Sequence, residues 1–235
     1  MHEETIERIL QVFKRVLGTR LKSFVMYGSS HTGEFHEGFS NINTMAVVST
    51  ITMNDIAAIG RELTWFFYKG NPSPLIFTQD ELNSFKDIFP IEMLDMIEHH
   101  TLVYGETDPL KNITIDPKNL RFQCESELKG KLIKLRQALF IHNTEKKASL
   151  LMVNSISSFI ALFKGVLRLK GKDTPAHKRD ILNEVAQLVE FNQTPFLKLI
   201  EVREKKDKLK KSETFRTLEM YIEGITKVIN FIEKE

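Results

Sequence analysis

The chain has 235 residues, 42% of them hydrophobic and 27% charged, with a formal net charge of +2 and a single cysteine, Cys124. That hydrophobic share excludes general disorder, the length allows one large domain or two of ordinary size, and a lone cysteine excludes an internal disulfide. The sequence suggests neither a secretory leader nor an apolar run near bilayer-spanning length, so a reducing, cytoplasmic setting without a membrane partner is expected.

Elements are predicted in chain order from apolar spacing, caps and punctuation. Ile6, Ile9, Leu10, Phe13 and Leu17 recur at helical spacing and predict a first amphipathic helix ending near Gly18. "FVMY" and "TMAVVS" read as short strands, separated by the Gly-rich loop that follows Tyr27. Residues 55–67 read as a helix capped by Asn54, ending before "KGNPSP", which cannot extend it. "PLIF" is a third strand, and Thr78 followed by Glu81 is a capping box that opens another helix. "FPIEMLDMIEHH" predicts a further helix and "TLVYG" an edge strand. Beyond Leu120 strand signals almost vanish, and helices are expected over 119–141, 147–169, 178–190 and 214–232, with corners at 171–175 and at the basic run "REKKDKLKK", 203–211. The expected division is an α/β domain over 1–118 and a helical bundle over 119–235. Residues 1–118 carry 10 Lys/Arg against 16 Asp/Glu, a net −6, whereas 119–235 carry 23 against 15, a net +8. Neither half has the cationic density of a dedicated nucleic-acid binder, so a nucleic-acid partner is not expected.

The stretch "GSSHTGEFHEGFSNIN", 28–43, carries the chemical interest. A Gly-Ser turn at a strand end directs backbone N–H groups toward one point, which suits a phosphate; a plain tight turn is the alternative. Asn41 and Asn43, one residue apart on a strand, should share a face while Ile42 enters the core. Carboxylates at such positions could hold Mg²⁺; amides offer carbonyl oxygens without charge.

This stretch resembles the Gly-Ser, Ser-Asp-x-Asp signature of the nucleotidyltransferase superfamily, the minimal and antibiotic-modifying branches especially. Together with "FPIEMLDM", "LVYGETDPL" and "ESELKGKLIKLRQAL", it is also similar to predicted nucleotidyltransferases that carry a C-terminal helical domain. The resemblance implies an α+β fold, a mixed sheet with flanking helices followed by an all-α bundle. It further implies Mg²⁺ and ATP or another NTP as ligands. Gly28 and Ser29 would line the triphosphate, Ser40 would be the small residue before the first carboxylate, and Asn41 and Asn43 stand where the two metal-binding aspartates belong. "SPLIFTQ", which should supply a third acid, has none. The expected function is therefore that of a catalytically degenerate nucleotidyltransferase-like protein with a nucleotide-sensing, regulatory or protein-interaction role. The alternative is an active metal-dependent enzyme whose acids are displaced, with Glu34, Glu37 and Asp80 as candidates; Glu37 could reach inward from its loop, and plain surface solvation is the competing account of the loop acids.

Other readings compete. His31 and His36 read as loop histidines, and His99-His100 as a polar helix end. Arg136 and His142 in "RQALFIH" weakly resemble the Arg/His motif of HEPN ribonucleases; an ordinary surface pair is the alternative. Glu127 and Lys131 are placed to pair at i,i+4. Trp65 to Tyr68 form an aromatic block, for core packing or base stacking. The stripe Val153, Ile156, Phe159, Ile160, Phe163 and Leu167 serves either a bundle core or an interface for self-association or a partner protein.

Overall fold

Two compact units divide the chain, Met1–Asp116 and Pro117–Glu235. The computed structural model describes residues 2–28 and 42–234. In the first unit the order is α1 (His2–Leu17), β1 (Leu21–Tyr27), β2 (Asn43–Val48), α2 (Met53–Glu62), α3 (Thr64–Phe67), β3 (Leu75–Thr78), α4 (Gln79–Ile88), α5 (Pro90–Glu98) and β4 (His100–Tyr104). The four strands form one mixed sheet in the order β3-β2-β1-β4, with β1 antiparallel to both neighbours, one register shift in each pairing, and β2 parallel to β3.

Helices cover both faces of this sheet, and β2 shows why its sequence is nearly all apolar. Ala46 and Val48 join Phe24 and the α1 residues Ile9 and Phe13 in one core, while Met45 and Val47 join Val25, Leu82, Met93 and Met96 in another. A strand buried on both sides reads as a continuous apolar run rather than an alternation. Of the aromatic block, Phe66 is buried and Trp65 and Phe67 pack on the first core, as the packing reading requires; Tyr68 stays 89% exposed.

Caps place the helices. Thr52, not Asn54, caps α2: its side chain accepts from Asp55 N–H while the Asp55 carboxylate accepts from Thr52 N–H, a complete capping box. The Thr78–Glu81 box opens α4 as expected. The predicted 55–67 helix is broken at Leu63 into α2 and α3.

The second unit contains α6 (Pro117–Ile141), α7 (Glu145–Leu169), α8 (Lys178–Val189), α9 (Thr194–Arg203) and α10 (Thr214–Glu233). Helix α9 was not expected from spacing; its proline sits in the first turn, where no N–H is missed, and Phe196, Leu199 and Ile200 are buried. Helix α7 packs on all four others, and Ile156, Phe159, Ile160, Phe163 and Leu167 are buried, so its stripe belongs to the core rather than to an interface. It also corrects the reading of apolar runs: Glu145–Leu169 is long and apolar enough to cross a membrane by length and composition, although half of its most apolar window is buried within the protein. Around it, Phe196 meets Tyr221 at 4.8 Å and Phe191 at 5.2 Å between ring centres, and the buried Tyr221 hydroxyl lies 3.0 Å from Ser155 Oγ. Burial raises the Tyr221 pKa well above the usual phenol range.

Candidate functional site at the mouth of the β1–β2 strands

The end of the sheet at which β1 finishes and β2 begins holds Gly28, Ile42 and Asn43, the described residues of the 28–43 signature. Tyr27 pairs with Asn43 on one side and with His100 on the other. Directly opposed residues of antiparallel strands share a face, so Asn43, Tyr27 and His100 form a row across three strands. The row lies on the α4–α5 side, since Met45 and Val25, two residues further in, belong to that core.

Gly28 closes this corner. Its φ of +89° favours glycine, and a Cβ there would come within 2.9 Å of Asn43 Nδ2. Its N–H, however, donates to the His99 carbonyl at 2.8 Å. Gly28 can therefore let a ligand or side chain approach closely, but it does not contribute a free N–H. Ser29, Ser40 and Asn41, together with Glu34, Glu37, His31 and His36, lie outside the described residues.

The start of β2 is fixed by a residue that sequence spacing did not reveal. Asn71, in the α3–β3 connection, accepts from Ile42 N–H at 3.0 Å and donates to the Phe66 carbonyl at 3.3 Å. A side-chain amide thus does the work of a neighbouring strand one residue before β2 begins. Ile42 is buried as expected, and Asn43 is half-buried.

His100 is not a bare helix-end histidine but a member of this corner. Its Nδ1 is 3.0 Å from the Ile97 carbonyl and its Nε2 is 2.9 Å from Asp108 Oδ2. Both ring nitrogens are occupied, so neither serves as a base or a phosphate ligand in this arrangement. For Asp108, burial pushes the carboxyl up, but the His100 hydrogen bond and the backbone N–H groups of Leu110 and Lys111 together hold it below its usual value. Burial alone raises the Tyr27 phenol.

The position of a third acid is equally clear. The parallel β2–β3 register pairs Met45 with Leu75, so carried two residues back it sets Ser73 opposite Asn43. Asp80 stands beyond Thr78, at the other end of the sheet, roughly 16 Å or more from Asn43 at about 3.3 Å per strand residue. Asp80 is thereby removed as a displaced catalytic acid, and Glu81 is committed to its capping box. Among the described residues no group of three or more His, Cys, Asp or Glu side chains could hold a metal ion. The donors that the described residues bring together, an amide and a hydroxyl with one carboxylate already bound to histidine, do not fit a divalent cation, which needs anionic oxygen ligands.

A separate cavity lies away from this corner. It measures about 800 Å³ and is lined by Lys22, Ser23, Val47, Gln79, Tyr104 and Glu106, at the opposite end of the sheet from Gly28 and Asn43. In the helical unit, Arg136 is exposed on α6 whereas His142 follows its last turn, and six residues of helix set them about 120° apart. They do not share a face. Glu127 accepts from Gln123 rather than from Lys131, while Glu125 holds Arg121 and Lys129 at 2.8 and 2.6 Å. The basic run 203–211 is a corner between α9 and α10 in which Asp207 pairs with Lys198, and Glu204 with Arg179 and Lys206.

No protein-family model matches the chain, and no curated protein matches it. Nine solved chains do. One is spectinomycin adenyltransferase AAD(9) from Enterococcus faecialis, crystallised with ATP and spectinomycin; it aligns with a TM-score of 0.60 at 12% identity, over 98% of this chain and 99% of that one. At that identity the likeness shows the fold alone: a mixed sheet followed by a helical domain, as in that adenyltransferase.

Proposed function

We propose that this protein is a catalytically degenerate member of the nucleotidyltransferase fold that binds a nucleotide without transferring it, in a sensing or regulatory role. The observation that carries the reading is Asn43. It sits against Gly28 at the sheet mouth, where metal-dependent transfer needs a carboxylate, and the neighbouring β3 segment, Ser73 to Gln79, contains no acid. Transfer of a nucleotidyl group relies on cations to neutralise charge developing on the phosphates and to orient the attacking oxygen. An amide leaves that charge unbalanced. Binding is a weaker demand, because backbone donors and a serine hydroxyl at a Gly-Ser turn can hold phosphate without metal. The ATP held by the structurally similar spectinomycin adenyltransferase makes adenine nucleotides the first ligands to test.

Calorimetric titration with ATP and GTP, with and without Mg²⁺, tests this directly. The expected result is binding that Mg²⁺ does not strengthen and that Gly28→Ala weakens by about tenfold or more, because the added methyl collides with Asn43. In the double variant Asn41→Asp, Asn43→Asp, binding should become Mg²⁺-dependent. Magnesium-dependent incorporation of label from ATP by the wild-type protein would overturn the proposal, as would the absence of binding at millimolar nucleotide.

A further inference from the structure

Helix α6 is apolar on two sides. Leu128, Leu132 and Leu135 are buried in the bundle, yet Phe122, Ile133 and Phe140 are 71%, 53% and 86% exposed. Spaced by eleven and seven residues, these three fall within about 20° of one line along the helix and span about 27 Å. At the C-terminal end of the line is a recess of about 500 Å³ lined by Arg136, Leu139, Phe140 and Asn143. A helix needs one apolar face for its own bundle, and the second has no use inside this unit.

We infer that this outer face of α6 is self-complementary, and that two copies of the chain pair through antiparallel α6 helices about a two-fold axis near residue 131. The spacing carries the inference. Phe122 and Phe140 are equidistant from that axis, so the pairing sets Phe122 of each copy against Phe140 and the recess of the other, both contacts forming at once as an isologous interface requires. The same register lays the aliphatic stem of Lys129 over Ile133 of the second copy.

Charge agrees with this register. In an antiparallel pair like flanks meet, and Glu125 comes opposite Arg136–Gln137 of the second copy. Arg136 has no ion-pair partner among the described residues, and Glu125, which holds Arg121 and Lys129 within its own chain, gains it as a further cation, twice over. Area is also sufficient. Taking about 200 Å² for a large apolar side chain, the three exposures amount to about 400 Å² per chain; with Ser126, Lys129, Arg136 and Gln137 included, the total for two chains reaches the roughly 1,000 Å² that separates specific interfaces from chance contacts. An interface of that size gives a reversible dimer. The proposal is independent of the nucleotide reading, since it involves only α6.

Sedimentation velocity of the full chain from about 1 to 300 µM, without nucleotide, tests it. The expected result is a monomer–dimer equilibrium whose dissociation constant rises at least tenfold in Phe122→Glu and in Phe140→Glu, both exposed positions where folding, checked by circular dichroism, is retained. Glu125→Arg should weaken the dimer by bringing two arginines together, and adding Arg136→Glu should restore it. A monomer over the whole range, or a dimer indifferent to both Phe substitutions, would overturn the proposal; a dimer that the Phe variants abolish but the charge reversal does not restore would overturn the antiparallel register.

Discussion

Asp55 shows how one side chain joins three parts of the first unit. Arg20 donates to its two oxygens at 2.6 and 2.8 Å, and Thr52 donates from its hydroxyl at 2.7 Å and its N–H at 2.9 Å. The Arg20 hydrogen bonds, and then those of Thr52, hold the carboxyl far below the usual carboxylate range against the opposing effect of burial. A depressed folded-state pKa contributes stability that is present above the unfolded value, about 3.9, and lost as pH falls toward the lower folded value. Denaturant unfolding of wild type and Asp55→Asn from pH 7 to pH 2 should therefore show a difference that is constant down to about pH 4 and then shrinks. Equal pH dependence in the two proteins would contradict this role. At the same scale, the corner formed by Gly28 and Asn43 was legible in the sequence because both residues lie in one signature. Asn71 and Asp108 were not, since each reaches its partner through a connection whose path only the folded chain defines.

Elements were legible where a local rule acts alone. The Thr78–Glu81 box was evident because Thr-x-x-Glu is written in four residues, whereas the equivalent Thr52–Asp55 box uses an aspartate and was masked by the neighbouring Asn54. Helix α9 was missed because ten residues opened by Thr-Pro carry too few turns for periodicity to show, and its burial against α7 supplies what local propensity does not. The distinction between local and tertiary control is measurable with one substitution at two glycines. Gly60 in α2 has open space around a would-be Cβ, but at Gly224 in α10 the same atom would come within 2.6 Å of Phe196 Cε2 and 3.0 Å of Phe191 Cδ2. Gly60→Ala should raise stability by about 0.5–1 kcal/mol through helix propensity. Gly224→Ala should lower it by about 1–3 kcal/mol, because the ring cluster around Tyr221 must shift. Thermal and denaturant unfolding of the two variants decides the signs.

At the scale of the whole molecule, each unit has its own core: a sheet covered on both faces in the first, a bundle centred on α7 in the second. A fragment of residues 117–235 should therefore fold alone and give a cooperative helical melt by circular dichroism; a non-cooperative melt would show that the bundle depends on the preceding residues. The burial along β2 has a consequence for the history and redesign of the chain. Thr44 to Val48 are enclosed on both sides, but Asn43, just outside that stretch, is half-exposed. Selection for a soluble, folded chain would act hard on the five enclosed positions and barely on the one before them. A lineage could thus exchange an acid for an amide at the mouth in a single step without crossing a stability threshold, and an engineer could make the reverse exchange just as cheaply, the scaffold being indifferent to which chemistry it carries.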